Sequence, residues 1–290
     1  MIAKLKLFIA SASAFFAAPL AAFAAQPQDW QMTLQPAATE IMSSLIWFEQ
    51  YTLWMMAAVT VFVAGLLAYV CIKFRAEANP VPSRTTHNSM IEVVWTVVPV
   101  LILVAIAFPS FQLLNAQYAP PREAELTVKA IGNQWYWGYE YQVEAAPISF
   151  EANMLKEEER AKYGKEDVSA YPRLLAVDNE MVVPVDTVVR VLVTAGDVLH
   201  AFAMPAFGIK SDAVPGRLNE TWFLAEKEGL YYGQCSEICG KDHSMMPIAI
   251  RVVSKADYAS WATAAATDVT LANKTLMASL KSKNAVATAD

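Results

Sequence analysis

Gly229-Leu-Tyr-Tyr-Gly-Gln-Cys235-Ser-Glu-Ile-Cys239-Gly-Lys-Asp-His243-Ser-Met-Met246-Pro-Ile-Ala-Ile-Arg251 reads as an aromatic strand, a ligand-rich loop and a second apolar strand. The loop holds two thiols, an imidazole and two thioethers. Soft sulfur ligands with imidazole select copper or zinc, and a thioether at a fixed step beyond a His favours copper, because zinc seldom uses Met. The competing reading is a disulfide between Cys235 and Cys239, the common fate of paired Cys in an exported chain. His243 and the Met pair have no part in a disulfide, and a second ligand-like His lies upstream at Gly196-Asp-Val-Leu-His200, after an apolar β-branched run. One ligand from an earlier strand and the rest from a late loop is how a rigid β scaffold holds copper: the scaffold holds the loops and the loops hold the metal. A mononuclear blue-copper site needs one Cys; two thiolates can bridge a pair of coppers, with a His on each metal.

Working outward, Arg122 to Ser254 is built of short β-rich runs: Leu126–Ile131, Trp135–Val143, Leu174–Val177, Thr187–Thr194, Thr221–Ala225, Gly229–Gly233 and Ile248–Val253. Regular short strands with turn signals between them predict an all-β sandwich or barrel over residues 122–254. Residues 150–172, with Met-Leu-Lys-Glu-Glu-Glu-Arg-Ala-Lys-Tyr, read as a solvated helical insertion. The tail, 255–290, is rich in Ala, Thr and Lys and reads as a short surface helix with a frayed end.

The first half of the chain belongs to a membrane. Residues 1–25 carry Lys4 and Lys6, an apolar core and Ala22-Phe23-Ala24, the pattern of a signal peptide cleaved after Ala24 or Ala25. Charge-free stretches over 51–72 and 93–114 are long enough to span a bilayer. Pro99 and Pro109 in the second are tolerated where neighbouring helices satisfy the freed carbonyls. In the loop between them, 73–92, residues 73–90 carry Lys73, Arg75 and Arg84 against a single acid, Glu77, whereas 26–50 carries Asp29, Glu40 and Glu49 and no base. The hairpin tip therefore faces the cytoplasm, and both mature termini lie in the periplasm of a bacterial inner membrane. Residues 122–254 hold 20 acids against 13 bases, a net charge of −7 that suits a basic partner and not a nucleic acid.

Gly233-Gln-Cys-Ser-Glu-Ile-Cys-Gly-Lys-Asp-His-Ser-Met-Met-Pro247 resembles the CuA-binding loop of cytochrome c oxidase subunit II. The resemblance extends to Gly132-Asn-Gln-Trp-Tyr-Trp-Gly-Tyr-Glu-Tyr141, Asp197-Val-Leu-His200 and Asp212-Ala-Val-Pro-Gly-Arg217, and to a two-helix transmembrane hairpin ahead of a cupredoxin-like sandwich. It implies a binuclear copper centre with Cys235 and Cys239 bridging, His200 and His243 on one copper each, and Met246 and the Glu237 carbonyl completing the shells. Spacing alone does not separate Met245 from Met246; the family's His-x-x-Met pattern selects Met246. The Glu237 side chain resembles a carboxylate that shares a magnesium ion with subunit I, its plainer reading being a solvated loop acid.

The resemblance further implies an electron-entry subunit with no haem of its own, taking electrons from cytochrome c and passing them to haem in subunit I, with subunit III as a further partner. Oxygen reduction and proton pumping belong to subunit I. Trp135 resembles the family's electron-entry aromatic, although alternation along Trp135, Trp137, Tyr139 and Tyr141 also describes a buried aromatic row. Glu140, Asp178 and Asp197 match acids used to dock cytochrome c. Glu92 matches a Glu at the mouth of a proton path into subunit I, against the reading of an interfacial acid at a helix end. A quinol oxidase subunit II shares the architecture but lacks the copper ligands. A membrane-anchored copper carrier or storage protein is the alternative from another class; such sites tend to be open and exposed.

Overall fold

The computed structural model describes residues 23–142 and 147–287. They form two compact units, one of Ile41–Ala119 and one of Pro120–Asp290 with the chain up to Glu40.

The first unit is built on α1 (Glu40–Lys73) and α2 (Ser89–Tyr118), both long and apolar enough to cross a membrane. Each outruns the apolar stretch that announces it, because helix ends are set by caps and charges rather than by hydropathy. α1 places Glu40 in its first turn and Lys73 in its last, both favourable to the helix dipole. At the start of α2 the Asn88 side chain accepts from the Met90 and Ile91 amides at 3.1 and 3.3 Å, and Glu92 Oε1 accepts from the Asn88 amide at 3.3 Å. This reciprocal cap gives Glu92 a structural duty at the helix end.

The second unit is a sandwich of two sheets. One has the order β4 (Ile148–Ala152), β3 (Tyr136–Tyr141), β2 (Leu126–Asn133), β6 (Val188–Ala195), β9 (Asn219–Leu224). The other runs β5 (Met181–Pro184), β11 (Pro247–Val253), β10 (Gly229–Cys235), β7 (His200–Met204), β8 (Ile209–Ala213), and β1 (Phe23–Ala25) pairs in parallel with the start of β10. Period-two alternation is clearest in β6, where Val189, Val191 and Val193 face the core and Arg190, Leu192 and Thr194 face outward. The core between the sheets includes Trp137, Tyr139, Phe202, Tyr231 and Ile250.

Several expectations need correction. The segment 150–172 is not a solvated helix. Its first residues belong to β4, only Arg160–Tyr163 (α3) is α-helical, and its end is bonded to β10 and β11, with Tyr232 Oη donating to the Ala170 carbonyl at 2.7 Å and Arg251 Nη2 to Tyr171 Oη at 3.2 Å. Its charges are partly internal. Lys165, 1% exposed, donates to the Val177 and Asp178 carbonyls and pairs with Glu180 at 2.9 Å, and Arg251 donates to both Glu180 oxygens. Charged residues buried with full sets of partners read, in sequence, the same as solvated ones.

The tail is likewise not frayed over its described part. α4 (Lys255–Ala265) and α5 (Val269–Ala287) bury Trp261, Ala272 and Leu276, and Trp261 Nε1 donates to Asn273 at 2.7 Å. Leu174–Val177 is a turn, with Leu174 at φ +69° and Val177 alone in an isolated bridge to Met154. Trp135 lies in the turn before β3, outside the buried row Trp137, Tyr139 and Tyr141. Strands β4, β5, β7 and β8 were not anticipated; β7 is His-Ala-Phe-Ala-Met and β8 Ile-Lys-Ser-Asp-Ala, poor in β-branched residues and placed by their neighbours rather than by propensity. Of the expected signal peptide, residues 1–22 lie outside the described residues.

Candidate metal centre

β10 ends at Cys235 and β7 begins at His200, and the antiparallel register pairs Cys235 with Phe202. Both side chains therefore emerge at the same end of the sheet. The loop after Cys235 returns at once: the Cys235 amide donates to the Met246 carbonyl at 3.2 Å, the Ser236 amide to Ala201 at 3.1 Å, and a tight turn spans His243–Met245. His200, Cys235 and Cys239, all buried, have ligand atoms within 4.8 Å of one another.

The donor atoms fall into two sets. Cys235 Sγ lies 3.8 Å from His200 Nδ1 and 3.3 Å from the Glu237 carbonyl. Cys239 Sγ lies 3.4 Å from His243 Nδ1 and 3.4 Å from Met246 Sδ. The two sulfurs are 3.9 Å apart, well beyond the roughly 2.05 Å of a disulfide. Ligands about 2.2 Å from a shared tetrahedral metal sit roughly 3.6 Å from one another, so these spacings fit donors around metal. Two sulfurs between two imidazoles, with one thioether and one carbonyl, suit copper. Met246 is buried against Cys239, whereas Met245 is 39% exposed, which separates the two methionines that spacing could not.

The surroundings orient these donors. His200 Nε2 bonds Asp197 Oδ1 at 2.8 Å, leaving Nδ1 to face Cys235. A carboxylate on the far nitrogen of a ligand His fixes its ring and raises its basicity. Gly132 makes room for that ring, since a Cβ there would come within 2.9 Å of it. Trp137 stands edge-on to His200 with ring centroids 6.2 Å apart. Burial opposes the Cys235 thiolate, but bonding from His200 and from the backbone at Glu237 and Ala201 outweighs it and brings the thiol to about 7. Burial, with the charge of Cys235 beside it, pushes Cys239 up to about 12. Two sulfurs this close share their protons as a pair, the usual result of like charges in one site.

The remaining sequence candidates have separate places. Trp135 is half-buried and packs toward the metal loop, 3.2 Å from where a Gly240 Cβ would stand. Glu237 is exposed. Glu140 pairs with Lys129 at 3.1 Å, and Asp178 accepts from the Asn153 and Asn179 amides at 2.8 and 2.6 Å. Asp197, expected at a docking surface, is bonded to His200.

The chain matches the family model described as the periplasmic domain of cytochrome C oxidase subunit II over residues 126–253, and the one described as its transmembrane domain over residues 27–113. The chain belongs to the cytochrome c oxidase subunit II family. It is 48% identical over 261 residues to a probable cytochrome c oxidase subunit 2 of Rickettsia prowazekii (strain Madrid E), covering 90% of this chain and 78% of that one. It is 45% identical over 248 residues to the cytochrome c oxidase subunit 2 of Cereibacter sphaeroides, covering 81% and 80%. The crystal structure of the periplasmic domain of subunit II of cytochrome oxidase (CoxB) of Bradyrhizobium japonicum is 54% identical, with a TM-score of 0.45, over 51% of this chain and 98% of that one. Within this subunit II sequence, reading the motif 132–141 for its aromatics overlooked Gly132 and Gln134, whose contacts with the donor loops depend on residues some 65 and 105 positions away. The motif's Gly-Asn-Gln start, ahead of the strand, was the only local signal.

Proposed function

We propose that this chain is the electron-entry subunit of a haem-copper cytochrome c oxidase, accepting single electrons from cytochrome c at a binuclear copper centre and passing them to haem in subunit I. The observation that carries this reading is the division of the donors into two sets about two adjacent sulfurs. Copper bound there supplies reversible one-electron chemistry. Cys235 and Cys239 bridge, His200 and His243 bind one copper each, and the Glu237 carbonyl and Met246 complete the two shells.

The rest of the chemistry lies in what these residues hold still. His200, Cys235, Cys239 and Met246 are buried, which keeps water away and preserves the charge of the thiolates for metal. Donors fixed by β7, β10 and β11 shift little when charge changes, which favours fast transfer at small driving force. Trp135, half-buried at the surface beside Cys239–Gly240, is the point of electron entry.

Around the site Leu199, Ile238 and Met245 are exposed, Ile238 by 82%, an apolar rim suited to a protein partner. We assign that rim to subunit I and the acids of the domain, whose net charge over residues 122–254 is −7, to the attraction of cytochrome c, with subunit III as a further neighbour. Each docking acid already has an internal partner, Glu140 in Lys129, Asp178 in the Asn153 and Asn179 amides and Asp197 in His200, and all three act through their field. The exposed Glu237 side chain offers a hard oxygen for magnesium shared with subunit I. Glu92 combines helix capping with a place at the mouth of a proton path. The basic loop 73–92 sets the hairpin tip in the cytoplasm and the termini in the periplasm of a bacterial inner membrane. This chain carries no haem.

A copper carrier or storage protein is not favoured, since the chain belongs to an oxidase subunit family and its donors come from two loops that close the site. The deciding experiment is electron paramagnetic resonance on the full-length chain in its purified complex. Splitting by two equivalent copper nuclei is expected. A mononuclear signal, or a Cys235–Cys239 disulfide in copper-loaded protein, refutes the proposal.

A further inference from the structure

The turn joining β2 to β3 passes between the two donor loops and holds on to both. On one side the Gln134 amide donates to Asp197 Oδ2 at 2.7 Å, the carboxylate whose other oxygen bonds His200. On the other side Gln134 Nε2 donates to the Cys239 carbonyl at 2.7 Å. Gly240, at φ +121°, leaves the space this requires, since a Cβ there would fall 3.0 Å from Gln134 Nε2 and 3.2 Å from Trp135 Cζ2.

The metal loop needs such a tie. Its ends are fixed by β10, β11 and the Ser236–Ala201 bond, but its middle bonds mainly to itself, through His243 to Gly240 and Met245 to Asp242. Apart from the contacts among the donor atoms themselves, the Gln134 Nε2 bond to the Cys239 carbonyl ties the middle of this loop to the turn between β2 and β3. A donor set split between two loops binds metal well only when the loops are already in place, because ordering them on binding costs affinity.

We propose that Gln134 is a positioning residue, a strap that fixes the His200 loop against the Cys239 loop before copper arrives and holds Trp135 in register beside Cys239. The inference rests on the copper reading above. The amide proton of residue 134 survives every substitution except proline, so the strap is tested through the side chain. Three variants of the full-length chain in its complex serve: Gln134→Ala, Gln134→Asn, which keeps the amide but is one methylene too short, and Gln134→Glu, which keeps the shape but turns an acceptor toward the Cys239 carbonyl. The side chain is exposed, so none of them disturbs the core.

Copper affinity is measured by competition with a chelator, the copper hyperfine pattern by electron paramagnetic resonance, and turnover is separated into kcat and KM for cytochrome c. One net hydrogen bond corresponds to a loss of about 2- to 12-fold in affinity, expected for Ala and Asn. Gln134→Glu should lose at least as much as Ala, with an altered hyperfine pattern, a lower kcat and an unchanged KM. Parental affinity and spectrum in Gln134→Glu overturn the strap. A rise in KM alone, with copper unaffected, also overturns it and makes Gln134 a docking contact. A parent protein without paired copper instead refutes the functional reading on which the strap depends.

Discussion

Gly132→Ala places a methyl group 2.9 Å from both Cγ and Cδ2 of His200 and 3.0 Å from its Cβ. Carbon atoms in contact settle at roughly 3.5–4.0 Å, so one partner must retreat by about 0.6 Å. β2 is hydrogen-bonded on both sides, to β3 and to β6. The imidazole is therefore what moves, away from its bond to Asp197 and its contact with Trp137. Ligand distances at a metal tolerate about 0.2 Å. In the metal-free protein the ring can stay displaced, whereas binding forces it back against the methyl, so the strain appears as lost copper affinity. Overpacking of this kind costs about 1–3 kcal/mol, equivalent to a fall of roughly 5- to 150-fold in affinity. Chelator competition measures the fall, and the resonance spectrum should show inequivalent coppers or a single one, while melting of the metal-free protein changes little. Parental affinity with an unchanged spectrum in Gly132→Ala would refute the argument that this glycine exists to seat His200.

Cys235→Ser should abolish the paired-copper signal while the membrane helices still form, as read by copper content and circular dichroism; full copper content and turnover would contradict the assignment. Trp135→Phe should slow electron entry from cytochrome c, followed by stopped-flow absorbance, with the copper spectrum unchanged. Burial works to raise the Glu180 carboxyl, yet Arg251 and Lys165 hold it at about 2, against an ordinary 4.5. A depressed carboxyl adds stability that is complete above the unfolded value and is lost as pH falls from about 4.5 to about 2. Glu180→Gln should remove much of this acid dependence in a melting-temperature series. It should also cost about 3–5 kcal/mol near neutral pH, because Lys165 and Arg251 stay buried without their counter-charge; a variant as stable as the parent would contradict that.

The chain's local chemistry was legible wherever one stretch carried the whole signal. Two charge-free stretches marked the spanning helices, short β-rich runs marked β2, β6 and β10, and the spacing Cys235, Cys239, His243, Met246 marked a metal loop, since its donors lie close together in the chain. What neighbours impose was not legible. His200 and Met246 were named as donors by resemblance to the family, but the antiparallel register that sets His200 beside Cys235, and the burial of Met246 against Cys239 while Met245 is exposed, belong to the tertiary structure. Lys165 and Arg160 looked solvated until Glu180 and the backbone carbonyls around them were in place. Asp197 read as an acid that docks cytochrome c, and Gln134 as nothing in particular, because the contacts of each with the donor loops arise only when strands distant in sequence bring His200 and Cys239 to it. Residue type and short-range spacing determine which ligands the chain owns; the pairing of strands far apart in the chain decides which of them meet, because hydrogen-bond register acts through space and leaves no local mark.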